Sequence, residues 1–202
     1  MDSPAGPETY GSSHNGIRQR IREGASLSGH ERDRVFFQGE DHSFVDLSPV
    51  TGLDLPGDGR SFAFLDFNHD GRQDVAVVSA NAPLLQLLQN NMPGTGGSIA
   101  VRLEGGNHGG APNPEWSNRD GVGARIVVSV GDREQLRELQ AGEGLAAQNS
   151  ATLLVGLGTA TVADRVTVRW PSGRTQSVED VPEGAEVFFQ ERFGATILTD
   201  ER

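Results

Sequence analysis

The chain has 202 residues, enough for one large domain or two small ones and for a core that needs neither disulfide nor metal. Its formal net charge of -11 sets it against nucleic-acid phosphates and anionic lipid and makes cations its natural small partners. The absence of Cys excludes a disulfide framework and thiol chemistry but leaves the compartment open.

With 27 Gly and 10 Pro set between Val-rich segments, the composition predicts many short strands and turns, an all-β chain. The first residues, MDSPAGPETYGSSHNGIRQRIREG, lack the apolar core of a secretory signal, and no run has the length of a membrane span. Read by themselves they predict a soluble chain that is not exported. Residues 1–14, small, polar and rich in Pro and Gly, read as disordered. The piece GIRQRIREGASL, with Ile17, Ile21 and Leu27, predicts a short docking helix or a frayed tail, so 1–26 forms an N-terminal segment.

From about residue 31 the period changes to that of strands. RVFFQGEDHSFVDLS predicts strand, turn, strand, with Val35 and Phe37 alternating against Phe36. SFAFLDF and DVAVVSA flank an acidic loop, and LLQLLQN follows Asn81, Ala82 and Pro83. These make a meander of four short antiparallel strands, about one propeller blade, within 27–92. MPGTGG at 92–97 reads as a linker. Beyond it seven segments read as strands: SIAVRLEG, ARIVVSVG, QLRELQAG, ATLLVGLG, RVTVRW, RTQSVEDV and EVFFQER. VTVRWPSGRTQSV predicts a hairpin turning at Pro171, Ser172 and Gly173, with Val166, Val168 and Trp170 on one face. Such spacing predicts a β-sandwich over 98–190, leaving 191–202 as a tail.

The stretch FLDFNHDGRQDVAVV carries the clearest chemistry. Counted from Asp66, oxygen donors fall at Asp66, Asn68, Asp70, the backbone carbonyl of Arg72, and Asp74. Alternate residues in a tight loop converge their side chains, and Gly71 stands where the bend is sharpest. Three carboxylates held close repel one another, and a divalent cation removes that penalty. An all-oxygen set favours calcium, with magnesium the competing ion. The flanks are strands and position 12 is Val77, so the loop is EF-like in sequence but sits in a β context. The competing reading is a solvated Asp-Gly hairpin turn.

Two family resemblances follow from these residues. DFNHDGRQDVAVV resembles an FG-GAP/VCBS repeat, the calcium-binding blade unit of integrin-α-type propellers. NRDGVGARIVVSV, LQAGEGLAAQNSATLLVGLG and DRVTVRWPSGRTQSVEDV resemble an ASPIC/UnbV domain, the C-terminal domain of cartilage acidic protein 1-like proteins. The resemblance implies an extracellular, periplasmic or cell-surface protein with calcium-supported binding roles, and in some bacteria a link to enediyne-type natural-product pathways. It carries no general catalytic mechanism. A single blade has exposed edges that the C-terminal domain, the N-terminal segment or a second copy would cover.

Five His at 14, 30, 42, 69 and 108 form no HExxH or close pair, no GxSxG elbow occurs, and GVGARI lacks the third Gly of a dinucleotide loop. Asp54 and Asp58 read as solvated turn charges or a second cation site; Glu31, Arg32, Asp33 and Arg34 read as a solvated mixed-charge cluster. Trp170 reads as core. Arg119, Asp120 and Gln148 lie in the ASPIC-like motifs and are the candidate ligand-pocket residues. The reading is a calcium-binding, non-catalytic β module that meets a protein or glycan partner at a surface. The alternative is an enzyme or accessory protein of a biosynthetic pathway, with a pocket between the two β units.

Overall fold

The computed structural model describes residues 15–20, 23–26, 28–39, 41–94, 96–111 and 113–199. The segment 1–14, expected to be disordered, lies outside them, as do Ile21 and Leu27; residues 15–20 are helical (α1). The remaining elements are nearly all strands, so the all-β reading holds. The chain divides into two compact units, one of Met1–Phe62 with Ala76–Leu88, the other of Ala63–Val75 with Gln89–Arg202.

In the first unit β1 (Phe36–Gln38) and β2 (Phe44–Asp46) make an antiparallel hairpin with Phe37 opposite Val45. A single helical turn, α2 (Ser48–Thr51), follows with Pro49 in its first turn, where a missing N–H does no harm, and ends on Gly52 at φ 70°. β3 (Gly59–Leu65), β4 (Asp74–Ser79) and β5 (Leu85–Leu88) form a separate three-stranded sheet in that order. Where four strands were expected as one meander, five are found, divided between a two-stranded and a three-stranded sheet. The physical reason lies at α2, because its helical turn diverts the chain just where β2 would have to lead into β3. Phe36 and Phe44 remain 59% and 65% exposed, as residues of a lone ribbon must.

The second unit is a sandwich of two four-stranded sheets. One has the order β11-β10-β7-β8, from β7 (Arg125–Val130), β8 (Arg133–Glu138), β10 (Val162–Arg169) and β11 (Thr175–Pro182). The other has the order β13-β12-β6-β9, from β6 (Gly97–Glu104), β9 (Leu153–Gly158), β12 (Glu186–Gln190) and β13 (Gly194–Leu198). Ile126, Val128, Val166, Val168 and Trp170 from the first sheet meet Ile99, Val101, Val155, Val187 and Phe189 from the second in one buried cluster. Period-two alternation puts these side chains on inner faces, and each large one stabilises the fold by roughly 1.5–3 kcal/mol through burial. Trp170 is core, as read from the sequence.

Where a tail was expected over 191–202, residues 194–198 add β13 to the edge of β12, with Phe189 opposite Ala195. Ala195 and Ile197 pack against the core, a face too short to register as a periodic strand. The strand β6 pairs parallel with β12 and antiparallel with β9. Its start is tight: a Cβ on Gly96 would stand 1.7 Å from the Gly158 carbonyl oxygen.

Candidate functional site

The acidic loop joins β3 to β4 and belongs to the second unit. It is built by its own carboxylates. Asp66 accepts the N–H of Asp70 at 3.1 Å and of Gly71 at 2.9 Å, one on each oxygen, which closes the turn. His69 at φ 57° and Gly71 at φ 80° take the left-handed backbone that the bend requires; His69 is exposed. Asp70 accepts the N–H of Arg72 at 2.9 Å on one oxygen, and the Arg72 guanidinium at 2.7 Å and Asn68 Nδ2 at 2.8 Å on the other. Burial works to raise the Asp70 carboxyl, but the hydrogen bonds from Asn68 and Arg72 and the Arg72 charge outweigh it and hold its pKa below the usual carboxylate range. Asp74 is fully buried and accepts the N–H of Asn90 at 2.7 Å and of Phe67 at 3.2 Å.

The five predicted positions lie in one loop and the first residue of β4, and each carboxylate has amides or a guanidinium as its partners. Among the described residues no three or more His, Asp or Glu side chains stand together in the manner of a metal cage. The donor chemistry still fits a hard cation. A carboxylate oxygen that accepts one amide keeps a second lone pair, and Asp66 and Asp70 both have that capacity. Asp70 would first have to release the Arg72 guanidinium.

The loop also forms a wall of an open groove of about 720 Å³ within the second unit. Ser98 Oγ donates to the Gly71 carbonyl at 2.8 Å, fastening the loop to the start of β6. Asp66 and Asp70 line the groove, as do Glu183 in the β11–β12 turn and Glu186 at the start of β12. Glu183 lies close over Gly97, where a Cβ would collide with its Oε2. A smaller groove of about 180 Å³ includes Gln73, Glu143 and Asn149, and Asn149 Oδ1 accepts the N–H of Phe64 at 2.8 Å.

Arg119, Asp120 and Gln148 line neither groove. Arg119 and Asp120 pair with each other on the surface at 2.9 Å, and the pairing lowers the Asp120 carboxyl and raises the guanidinium. Gln148 instead closes the β8–β9 loop, accepting the N–H of Gly142 at 2.7 Å and donating to the Gln140 carbonyl. Asp54 pairs with Arg32. Asp58 is buried, with one oxygen accepting Ser26 Oγ, Ser28 Oγ and the Ser28 N–H. It is a folding node of the first unit rather than a solvated turn charge.

A second node escaped the sequence reading altogether. Glu191, 4% exposed, accepts the N–H groups of Gly106 at 2.7 Å and Ser117 at 2.8 Å on one oxygen, and the hydroxyls of Ser117 at 2.9 Å and Ser172 at 2.5 Å on the other. Burial would raise its pKa, and these hydrogen bonds overcome that and hold it low. Nothing local in ERFG announces it, because the four donors come from two segments distant in sequence, the β6–β7 loop and the turn after β10.

Residues 114–194 match the family model described as ASPIC and UnbV, so this stretch is an ASPIC/UnbV domain. No curated protein matches the chain.

Proposed function

We propose, on the premise of the ASPIC/UnbV domain, that this chain is a calcium-binding, non-catalytic β module that recognises a protein or glycan partner at a surface or outside the cytoplasm. The observation that carries the reading is the position of the acidic loop. Asp66, Asp70 and Arg72 line the 720 Å³ groove, which Glu183 and Glu186 also line. Asp66, Asn68, Asp70 and Asp74 would supply side-chain oxygens and Arg72 its carbonyl, and the bound cation would neutralise the loop and fix its part of the groove lining. The resemblance of residues 66–78 to an FG-GAP/VCBS repeat supports the same ion, and calcium in the range of extracellular modules supports the same location. Arg72 then acts as an internal substitute cation that holds Asp70 until calcium displaces it.

Calcium titration of chelator-treated protein by calorimetry, with Asp70→Ala as control, tests this. The expected result is one saturable site, weaker binding of magnesium, and loss of the site in the variant. At tenfold excess of free calcium over the dissociation constant the folded state gains roughly 1.4 kcal/mol, read as a rise in melting temperature. Absence of binding at millimolar calcium would remove the ion from the proposal.

A further inference from the structure

The loop between β6 and β7 holds Trp116 flat against the backbone. A Cβ at Gly106 would stand 2.6–2.8 Å from Trp116 side-chain atoms, so only glycine admits the ring there. Asn107 Nδ2 donates to the Trp116 carbonyl at 2.7 Å, and the Trp116 N–H reaches the Asn113 carbonyl at 3.2 Å. Two guanidinium groups stand over this ring, Arg174 at 4.1 Å and Arg192 at 4.9 Å from ring centroid to Cζ. Each is anchored through Nε to a main-chain oxygen, Arg192 to Gly106 at 2.7 Å and Arg174 to Glu115 at 3.3 Å. Their terminal Nη groups have no hydrogen-bond partner among the described residues.

Neither guanidinium has a carboxylate within ion-pair distance among the described residues; Arg18, Arg20, Arg60, Arg133, Arg137 and Arg169 lack one too, but Arg174 and Arg192 share a single aromatic ring. The nearest acid in sequence, Glu191, is buried with both oxygens occupied. Sharing one ring, the two guanidinium groups lie within about a Debye length of each other, roughly 10 Å at 0.1 M salt, so they repel unless an anion joins them. Beside them Phe193 is 78% exposed. Arg, Trp and an exposed aromatic are the residue types that dominate protein–protein hot spots, and the planar fork of Arg matches a carboxylate bidentately.

We propose that Trp116, Arg174 and Arg192 form a docking surface for an acidic segment of a protein partner, its carboxylates on the Nη groups and a flanking apolar side chain on Phe193. This rests on the reading of the chain as a binding module and narrows the partner to protein. It is independent of the acidic loop, so it is tested in chelator, where a failure of calcium binding has no bearing on the outcome.

The probes are a synthetic Asp/Glu-rich peptide with one Leu, the same peptide with Asn/Gln in place of the acids, and a highly sulfated oligosaccharide. Calorimetry and tryptophan fluorescence should give saturable binding of the acidic peptide alone, weakened by salt. Arg174→Gln should weaken it by roughly tenfold or more with the melting temperature kept, Arg174→Lys by less, and Phe193→Ala by a few fold. Absence of binding at about 1 mM acidic peptide, a Kd that weak being below any specific recognition, would overturn the proposal. So would unchanged affinity in folded Arg174→Gln, or binding of the sulfated sugar in preference to the peptide.

Discussion

Replacing Glu191 with alanine removes a single carboxylate on which four donors converge from the β6–β7 loop and the turn after β10. Two of those donors are main-chain N–H groups that have no way to rotate toward water. Leaving a buried donor unsatisfied costs about 1–3 kcal/mol, and breaking a buried charged network typically costs about 3–5 kcal/mol in all. Because the four bonds share one acceptor they do not add independently, and the lower total is the expected one. For a unit of this size the loss lowers the melting temperature by roughly 10–20 °C, measurable by calorimetry. The control is Glu186→Ala, which loses only a surface pair with Arg102 at 3.2 Å and should cost less than about 1 kcal/mol.

The pH profile adds a second readout. The folded-state pKa of Glu191 is held below its unfolded value of about 4.3, so its contribution is fully present above that pH and is lost as pH falls through the folded pKa. Glu191→Gln should therefore be less stable at neutral pH and should lose less stability on acidification. A variant melting within about 2 °C of the parent, well under the shift that 1 kcal/mol produces, would refute the node as an energetic feature.

Asp33 has the opposite linkage. Burial raises its carboxyl, so its stabilisation is greatest below the unfolded pKa and is lost as pH rises through the folded one. Asp33→Asn should raise the melting temperature at neutral pH and leave it unchanged near pH 3. Asp58→Ala removes the acceptor of Ser26 and Ser28 and should cost about 2–4 kcal/mol, with faster amide exchange at Ser28 read by NMR. Gly105→Ala places a Cβ 1.9 Å from the Asn118 carbonyl oxygen, a main-chain atom that cannot swing away. It should lower the urea midpoint by the equivalent of about 1–3 kcal/mol or more. Phe36→Ser with Phe44→Ser should reduce concentration-dependent association seen by sedimentation, since both rings are exposed on a ribbon whose strands have open edges.

The strands of the sandwich were legible in short stretches of sequence. In β6, β7, β9, β10 and β12 alternation of apolar with polar residues is a local signal, and the inner-face residues it marks are buried, except Leu103, Val130 and Leu153, which are only partly so. The acidic loop was equally legible, because a turn held by Asp66 and bent at Gly71 is specified within nine residues. Tertiary structure alone decided the rest. Glu191 acquires its role from Gly106, Ser117 and Ser172, and Trp116 acquires its two cations from residues 58 and 76 positions away. Arg119, Asp120 and Gln148 show the converse, since polar residues in turns looked like a pocket and were instead satisfying their own loops. Periodicity and turn chemistry are encoded between neighbours in the chain, whereas a buried charge or an unpaired cation is defined by what folding brings near it, and that information is spread over the whole sequence.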